Sequence, residues 1–321
     1  SRAHSIVDEL LDEINVGLQQ QQHRPARRFS ADSDACTTDC SVFSATSAAA
    51  EVRRYSRQQL AAKGVDTRLR FSLEPGRGES GFAQWMDATK VVVRLPDGIP
   101  ADFRKKMWLT LAERYLASRE LDWESTARFC FNERCNPDDD NLGVQIVKDL
   151  HRTGCSLFSG EQAEQNQALL KRVLLAYARW NKSVGYCQGF NLLAAFVLEV
   201  VEWCDQDALK MMIYLVEGVL PEGYFANNLR GLSVDMAVFR ELLRLRHSNL
   251  ATHLDRLQAG ESKAGMNYEP PLTNVFTMQW FLTLFTTCLP RSLVVRVWDL
   301  ILLEGNEVLL RTAITIWEGL A

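Results

Sequence analysis

Apolar side chains recur along most of this chain about every three to four residues, the period of a helix with one buried face, and the stretches that break this rhythm divide it into segments. At positions 4–18, Ile6, Val7, Leu10, Leu11, Ile14 and Leu18 fall on one face, with Asp8, Glu9, Asp12 and Glu13 opposite. This predicts an amphipathic helix within residues 1–22. A helix lying on a membrane surface carries Lys and Arg on its polar face, whereas this face is acidic. Packing on the main body, docking on a partner or self-association are the roles it leaves. Residues 23–50 mix Arg, Ser, Ala and Thr with few bulky apolar residues, so burial cannot repay the entropy of ordering and a disordered linker is expected. Residues 51–97 read as a helix over 51–62, with Gly64 as its cap, followed by an extended piece. There Leu69, Phe71 and Leu73 alternate with polar residues up to Pro75-Gly76. Gly76, Gly78 and Gly81 lack the Gly-Lys-Ser/Thr of a phosphate-binding loop.

From about residue 98 the pattern becomes helical almost throughout. Phe103, Met107, Trp108, Leu111 and Tyr115 form one stripe behind Pro100, which suits a helix start. Leu169, Leu170, Val173, Leu174, Tyr177 and Trp180 form a second, and Val238, Leu242 and Leu245 a third. No strand-helix alternation interrupts the series, so the fold class is all-α. Residues 183–198 and 270–290 carry no formal charge. The second stretch could cross a bilayer on length alone, but Thr273, Asn274, Thr277, Gln279, Thr283, Thr286 and Thr287 would place many polar groups in hydrocarbon. Helices buried on most sides fit better, and no transmembrane span is expected.

Composition narrows the function classes. The chain of 321 residues is 47% hydrophobic and 24% charged, which is ordinary for a folded protein large enough to bury a sizeable core. Its formal net charge of -4 offers no broad attraction for nucleic acid, and no nucleic-acid partner is expected. The 8 cysteines fall at irregular spacings without the paired ligands of a zinc site, a usage typical of a reducing compartment. No basic segment followed by an apolar core opens the chain, and the reading is cytoplasmic. The C-terminus falls inside a helical-looking run without a cap, so a truncated end is expected.

Three places invite chemistry. Asp138-Asp139-Asp140-Asn141-Leu142-Gly143 nearly spells a calcium loop, but Leu142 and Ile146 stand where oxygen ligands belong. Asp140 or Asn141 capping a helix that contains Val144, Ile146, Val147 and Leu150 is the better reading. In that helix Ile146, Asp149 and Arg152 share a face, where Asp149 could hold Arg152 through a charge-assisted bond. A solvated pair would have the same spacing. Farther on, Gln188 stands between a glycine-containing turn and the apolar helix that follows, so its amide projects from a rigid base. Cys187 lacks a protease-type signature and reads as a buried, inert thiol.

Taken in order, four blocks resemble a known family. They are Gly98-Ile99-Pro100 with Phe103-Arg104 and Trp108; Ile146-x-x-Asp149-x-x-Arg152; Tyr186-x-Gln188; and Gln279-Trp280-Phe281 through Leu289-Pro290 to Val297-Trp298-Asp299 with Glu304-Gly305. Together they are similar to the TBC-domain GTPase-activating proteins for Rab GTPases. The resemblance implies a multi-helix TBC domain over about 98–321, preceded by a partly disordered extension. It also implies a protein that is not a hydrolase by itself but lends an arginine finger, Arg152, and a glutamine finger, Gln188, to a Rab-family small GTPase in its GTP form, so regulating vesicle trafficking. Asp149 and Tyr186 would orient the fingers, while Trp298 and Asp299 would pack the fold. No cofactor of its own is implied, because GTP and Mg²⁺ are bound by the partner, and recruitment to membranes carrying that Rab would be transient. A non-catalytic Rab-binding effector and a helical scaffold are the alternatives.

Overall fold

The computed structural model describes residues 72–132, 137–150, 162–226, 228–262 and 272–320. Every regular element among them is a helix, as the periodicity predicts. The helix expected within 1–22, the linker at 23–50 and the helix at 51–62 lie outside the described residues. Of the extended piece only Ser72 and Leu73 are described, and neither is in a strand.

The described part of the first compact unit, which ends at Pro100, is built on α1 (Gly78–Val92). Trp85, Ala88, Thr89 and Val92 are buried, and the Trp85 indole donates to the Ser72 carbonyl at 2.8 Å. From the sequence no helix is expected here, where residues 51–97 read as a helix over 51–62 and an extended piece, and where three glycines, Gly76, Gly78 and Gly81, fall close together. One of them has a packing reason: a Cβ on Gly81 would lie 2.4 Å from the Gly76 carbonyl carbon, so only glycine allows this close approach.

The second unit begins at Ala101. Its first helices are α2 (Ala101–Ser118), α3 (Trp123–Cys130), α4 (Pro137–Leu150) and α5 (Ala163–Trp180). Next come α6 (Phe190–Val200), α7 (Asp205–Ile213) and a π-helical turn, Tyr214–Val219. The series closes with α8 (Arg230–Arg246), α9 (Ser248–Ser262), α10 (Leu272–Leu282), α11 (Arg291–Glu304) and α12 (Glu307–Leu320). α7 packs against α2, α5 and α6, while α8 packs against α9, α10 and α12. α11 touches both α2 and α12 and so joins the two sets. α6 is buried from Leu193 to Leu198 without a break, as a helix apolar on nearly every side must be.

At the junction stands Asp299, whose side chain is fully buried. Its two oxygens lie 3.1 and 3.0 Å from Arg104 Nε, and Trp108 Nε1 donates to one of them at 2.7 Å. Trp298 stacks on Trp108 with ring centroids 5.7 Å apart and donates to the Leu284 carbonyl at 2.9 Å. Desolvation raises the Asp299 carboxyl to about 6 even though Arg104 and Trp108 pull it down.

Three expectations are corrected. The stripe through Val238 and Leu245 faces water, with those residues 41% and 79% exposed; the buried face of α8 is Leu232, Met236, Phe239 and Leu243. α4 begins at Pro137, so the acidic run occupies its first turn, where negative charge suits the helix dipole, instead of capping it from outside. In the stretch at 270–290, expected as helix buried on most sides, Val275 and Phe276 are 54% and 57% exposed. α10 stops at Leu282, and Leu284 and Phe285 take left-handed φ of 45° and 66°. Among the described residues no helix is long and apolar enough to cross a membrane.

Candidate functional site

Two segments carry the side chains singled out in the sequence, and both are set by buried anchors. In α4, Ile146 and Leu150 are buried one turn apart, and this leaves Asp149 at the edge of the packed face, half-buried. The second segment runs from the end of α5 to the start of α6. It begins with Asn181, whose side-chain oxygen accepts bonds from the Ser183 hydroxyl at 2.7 Å and the Val184 amide at 3.1 Å, an Asx-type turn. Glu217 in the π-helical turn fastens it, accepting from Trp180 Nε1 at 2.7 Å and Asn181 Nδ2 at 3.0 Å.

Cys187 to Phe190 form a tight turn closed by the Phe190 amide on the Cys187 carbonyl at 3.0 Å. Gly189, third in the turn, has φ 101° and ψ -18°. Those are the angles of a type II turn, which requires glycine there. Gln188, second in the turn, is exposed. The chemistry of Gln188 therefore depends on the glycine that follows it: the turn lifts the amide clear of the core while Phe190 plugs into it. Phe190 is 1% exposed and meets Phe225 and Tyr177 edge-on at centroid distances of 4.8 and 5.5 Å.

The two segments are bonded to each other. The Tyr186 hydroxyl donates to Asp149 Oδ2 at 2.8 Å, and Asn191 Nδ2 donates to the Asp149 backbone carbonyl at 3.3 Å. Burial, and the Asp149 carboxylate beside it, push the Tyr186 phenol well above its ordinary range, so it acts as a neutral hydrogen-bond donor. Cys187 is half-buried, more open than expected, and burial pushes its thiol up to about 11. That leaves little thiolate near neutral pH.

Of the four residues expected at the site, Asp149 and Tyr186 are thus in contact, Gln188 projects from the turn that follows Tyr186, and Arg152 lies outside the described residues. Asn191 belongs with them, although neither helical spacing nor the four blocks singled it out. Its signal was chemical: an amide on a helix otherwise rich in Leu, Ala, Phe and Val is expensive to bury unless it is bonded. Among the described residues there is no cluster of His, Cys, Asp and Glu that could hold a metal ion.

The sequence model of the Rab-GTPase-TBC domain matches residues 101–319, and the chain belongs to this family. It is 64% identical over 258 residues to TBC1 domain family member 30 of Mus musculus, which covers 80% of this chain and 34% of that protein. It is 63% identical over 257 residues to TBC1 domain family member 30 of Homo sapiens, covering 80% of this chain and 28% of that protein. The chain therefore spans about a third of the length of these relatives or less. The crystal structure of the Chlamydomonas flagellar RabGAP TBC domain shares the fold with a TM-score of 0.54 at 19% identity, covering 76% of this chain and 73% of that one. The Ypt/Rab-GAP domain of Gyp1p does so with a TM-score of 0.53 at 18% identity, over 72% and 77% of the two chains.

Proposed function

We propose that this chain is a GTPase-activating protein for a Rab-family small GTPase, acting through a TBC domain over about 98–321. In this reading Arg152 and Gln188 enter the partner's nucleotide site in trans. Hydrolysis of GTP needs a water aimed at the γ-phosphate and a counter-charge for the negative charge that grows on the leaving oxygens. A supplied arginine contributes roughly 10³ to 10⁵ in rate, or about 4 to 7 kcal/mol of barrier. The Gln188 amide, which donates and accepts, is suited to orienting the water. GTP and Mg²⁺ belong to the partner's site and are the substrate and its metal, and the consequence in a cell would be to end Rab signalling on the membranes that carry it.

The single observation that carries this reading is the 2.8 Å bond from Tyr186 to Asp149. It ties the segment holding Gln188 to the segment holding Arg152. Arg152 follows Asp149 by three positions, and an extended chain spans at most about 11 Å over that interval. In this reading Arg152 reaches toward the Gln188 turn from there. Tyr186 and Asp149 set the bases of the two groups without entering the chemistry.

The test is a single-turnover GTP hydrolysis assay against a panel of Rab proteins. Arg152→Ala and Gln188→Ala are each expected to lower stimulated hydrolysis by about 10²-fold or more while leaving thermal unfolding nearly unchanged. Equal rates for the wild-type chain and both variants would refute the assignment of the two fingers. Binding of GTP-form Rab proteins without any acceleration would favour a non-catalytic effector instead.

A further inference from the structure

We infer that Asn191 is a positioning residue for this site, locking the main chain at the end of α4 to the turn that carries Gln188; the inference rests on the Rab-activating reading above. Asn191 is 5% exposed, and its neighbours Phe190 and Leu193 are 1% and 0% exposed. Packing alone would favour an aliphatic side chain there. The amide is instead directed to the Asp149 carbonyl, at 3.3 Å. Tyr186, two residues before Gln188, holds the Asp149 side chain, and Asn191, three residues after it, holds the Asp149 main chain.

α4 is already seated by Ile146 and Leu150, and a single bond to the Asp149 carboxylate would add only a distance to that packing. Two bonds, one to the carboxylate and one to the backbone of the same residue, also fix its rotation. Rotation decides where a side chain three positions farther along the chain can reach. Catalytic groups misplaced by about 1 Å lose as much as 10²-fold in rate, so this second bond bears directly on hydrolysis. The donor must be an amide: a carboxylate of the same shape would turn an acceptor toward the carbonyl oxygen.

The decisive variant is Asn191→Asp in the full chain, with Asn191→Ala as a second variant that introduces no charge should the first fail to fold. Amide hydrogen exchange at residues 146–150 is expected to quicken by roughly 10-fold, in keeping with the loss of one buried hydrogen bond, while α5 and α7 stay protected. Against a Rab that the wild-type chain stimulates, the single-turnover rate is expected to fall by roughly 10- to 100-fold. The dissociation constant for the same Rab loaded with a non-hydrolysable GTP analogue should move by less than about 3-fold. Unchanged exchange at 146–150 would overturn the clamp. Faster exchange with an unchanged rate, or loss of protection throughout α5 and α7, would reduce Asn191 to a purely structural contact. If the wild-type chain stimulates no Rab, the Rab-activating reading falls and Asn191's role in hydrolysis falls with it, while the exchange measurement still decides whether the clamp exists.

Discussion

Two glycines bracket Tyr186 to Gln188, and their backbone angles set a measurable cost. Gly185 and Gly189 have φ of 60° and 101°, where a side chain strains the backbone by about 1–2 kcal/mol. A Cβ on Gly185 would meet nothing within 4 Å, and one on Gly189 would meet Leu282 at 3.6 Å, an ordinary contact. Gly185→Ala and Gly189→Ala should therefore cost similar amounts, about 1–2 kcal/mol each in denaturant unfolding. A much larger loss at Gly189 would show that Leu282 cannot accommodate a methyl group. The glycines and the Tyr-x-Gln spacing are legible in the sequence, and so is the pairing of Asp149 with some partner on its own face. The partner read from spacing lies outside the described residues, and the contact they do show was not legible as a contact. Helical spacing offers Arg152, whereas the donor that the described residues provide is Tyr186, 37 positions away. A contact between remote segments leaves no local periodicity to read.

At the scale of elements, α8 shows how a period can be right and its phase wrong. Both Val238-Leu242-Leu245 and Leu232-Met236-Phe239-Leu243 are apolar at helical spacing, and the pattern alone does not say which set faces the core. The packing of α8 against α9, α10 and α12 selects the second; Phe239 is 0% exposed and meets the Phe281 ring edge-on at 5.9 Å. Phe239→Ala should cost about 3–5 kcal/mol, and Leu245→Ala less than about 0.5 kcal/mol, by denaturant unfolding. Equal losses would mean that the two faces have been exchanged. α1 was illegible for a different reason. Gly81 lies against Gly76, a close approach of two backbones that no pattern of sequence positions records. In α2 and α5, existence and phase followed from the sequence, although Phe103, Tyr115, Leu169 and Trp180 at the ends of the two stripes are only half-buried.

For the molecule as a whole, the contact that closes the second unit is the buried carboxylate between α2 and α11, which joins residues 195 positions apart. An amide there keeps only one of the two acceptor oxygens that Arg104 and Trp108 use, so Asp299→Asn should destabilise the protein by about 1–3 kcal/mol at pH 7. The pH dependence reveals whether desolvation or the Arg104 pair dominates. Asp299 is raised from an ordinary 3.8 to about 6, so between those values the folded chain binds a proton more tightly than the unfolded one. The stabilisation that comes from this proton is complete below the unfolded value and lost as pH rises through about 6. The variant lacks the titrating group, so the stability gap between wild type and Asp299→Asn should widen by about 1 kcal/mol as pH falls from 7 to 5, measured by urea unfolding at each pH. If the gap narrows over that interval, the ionised form is the favoured one in the fold, and the attraction of Arg104 outweighs the cost of taking the carboxylate out of water.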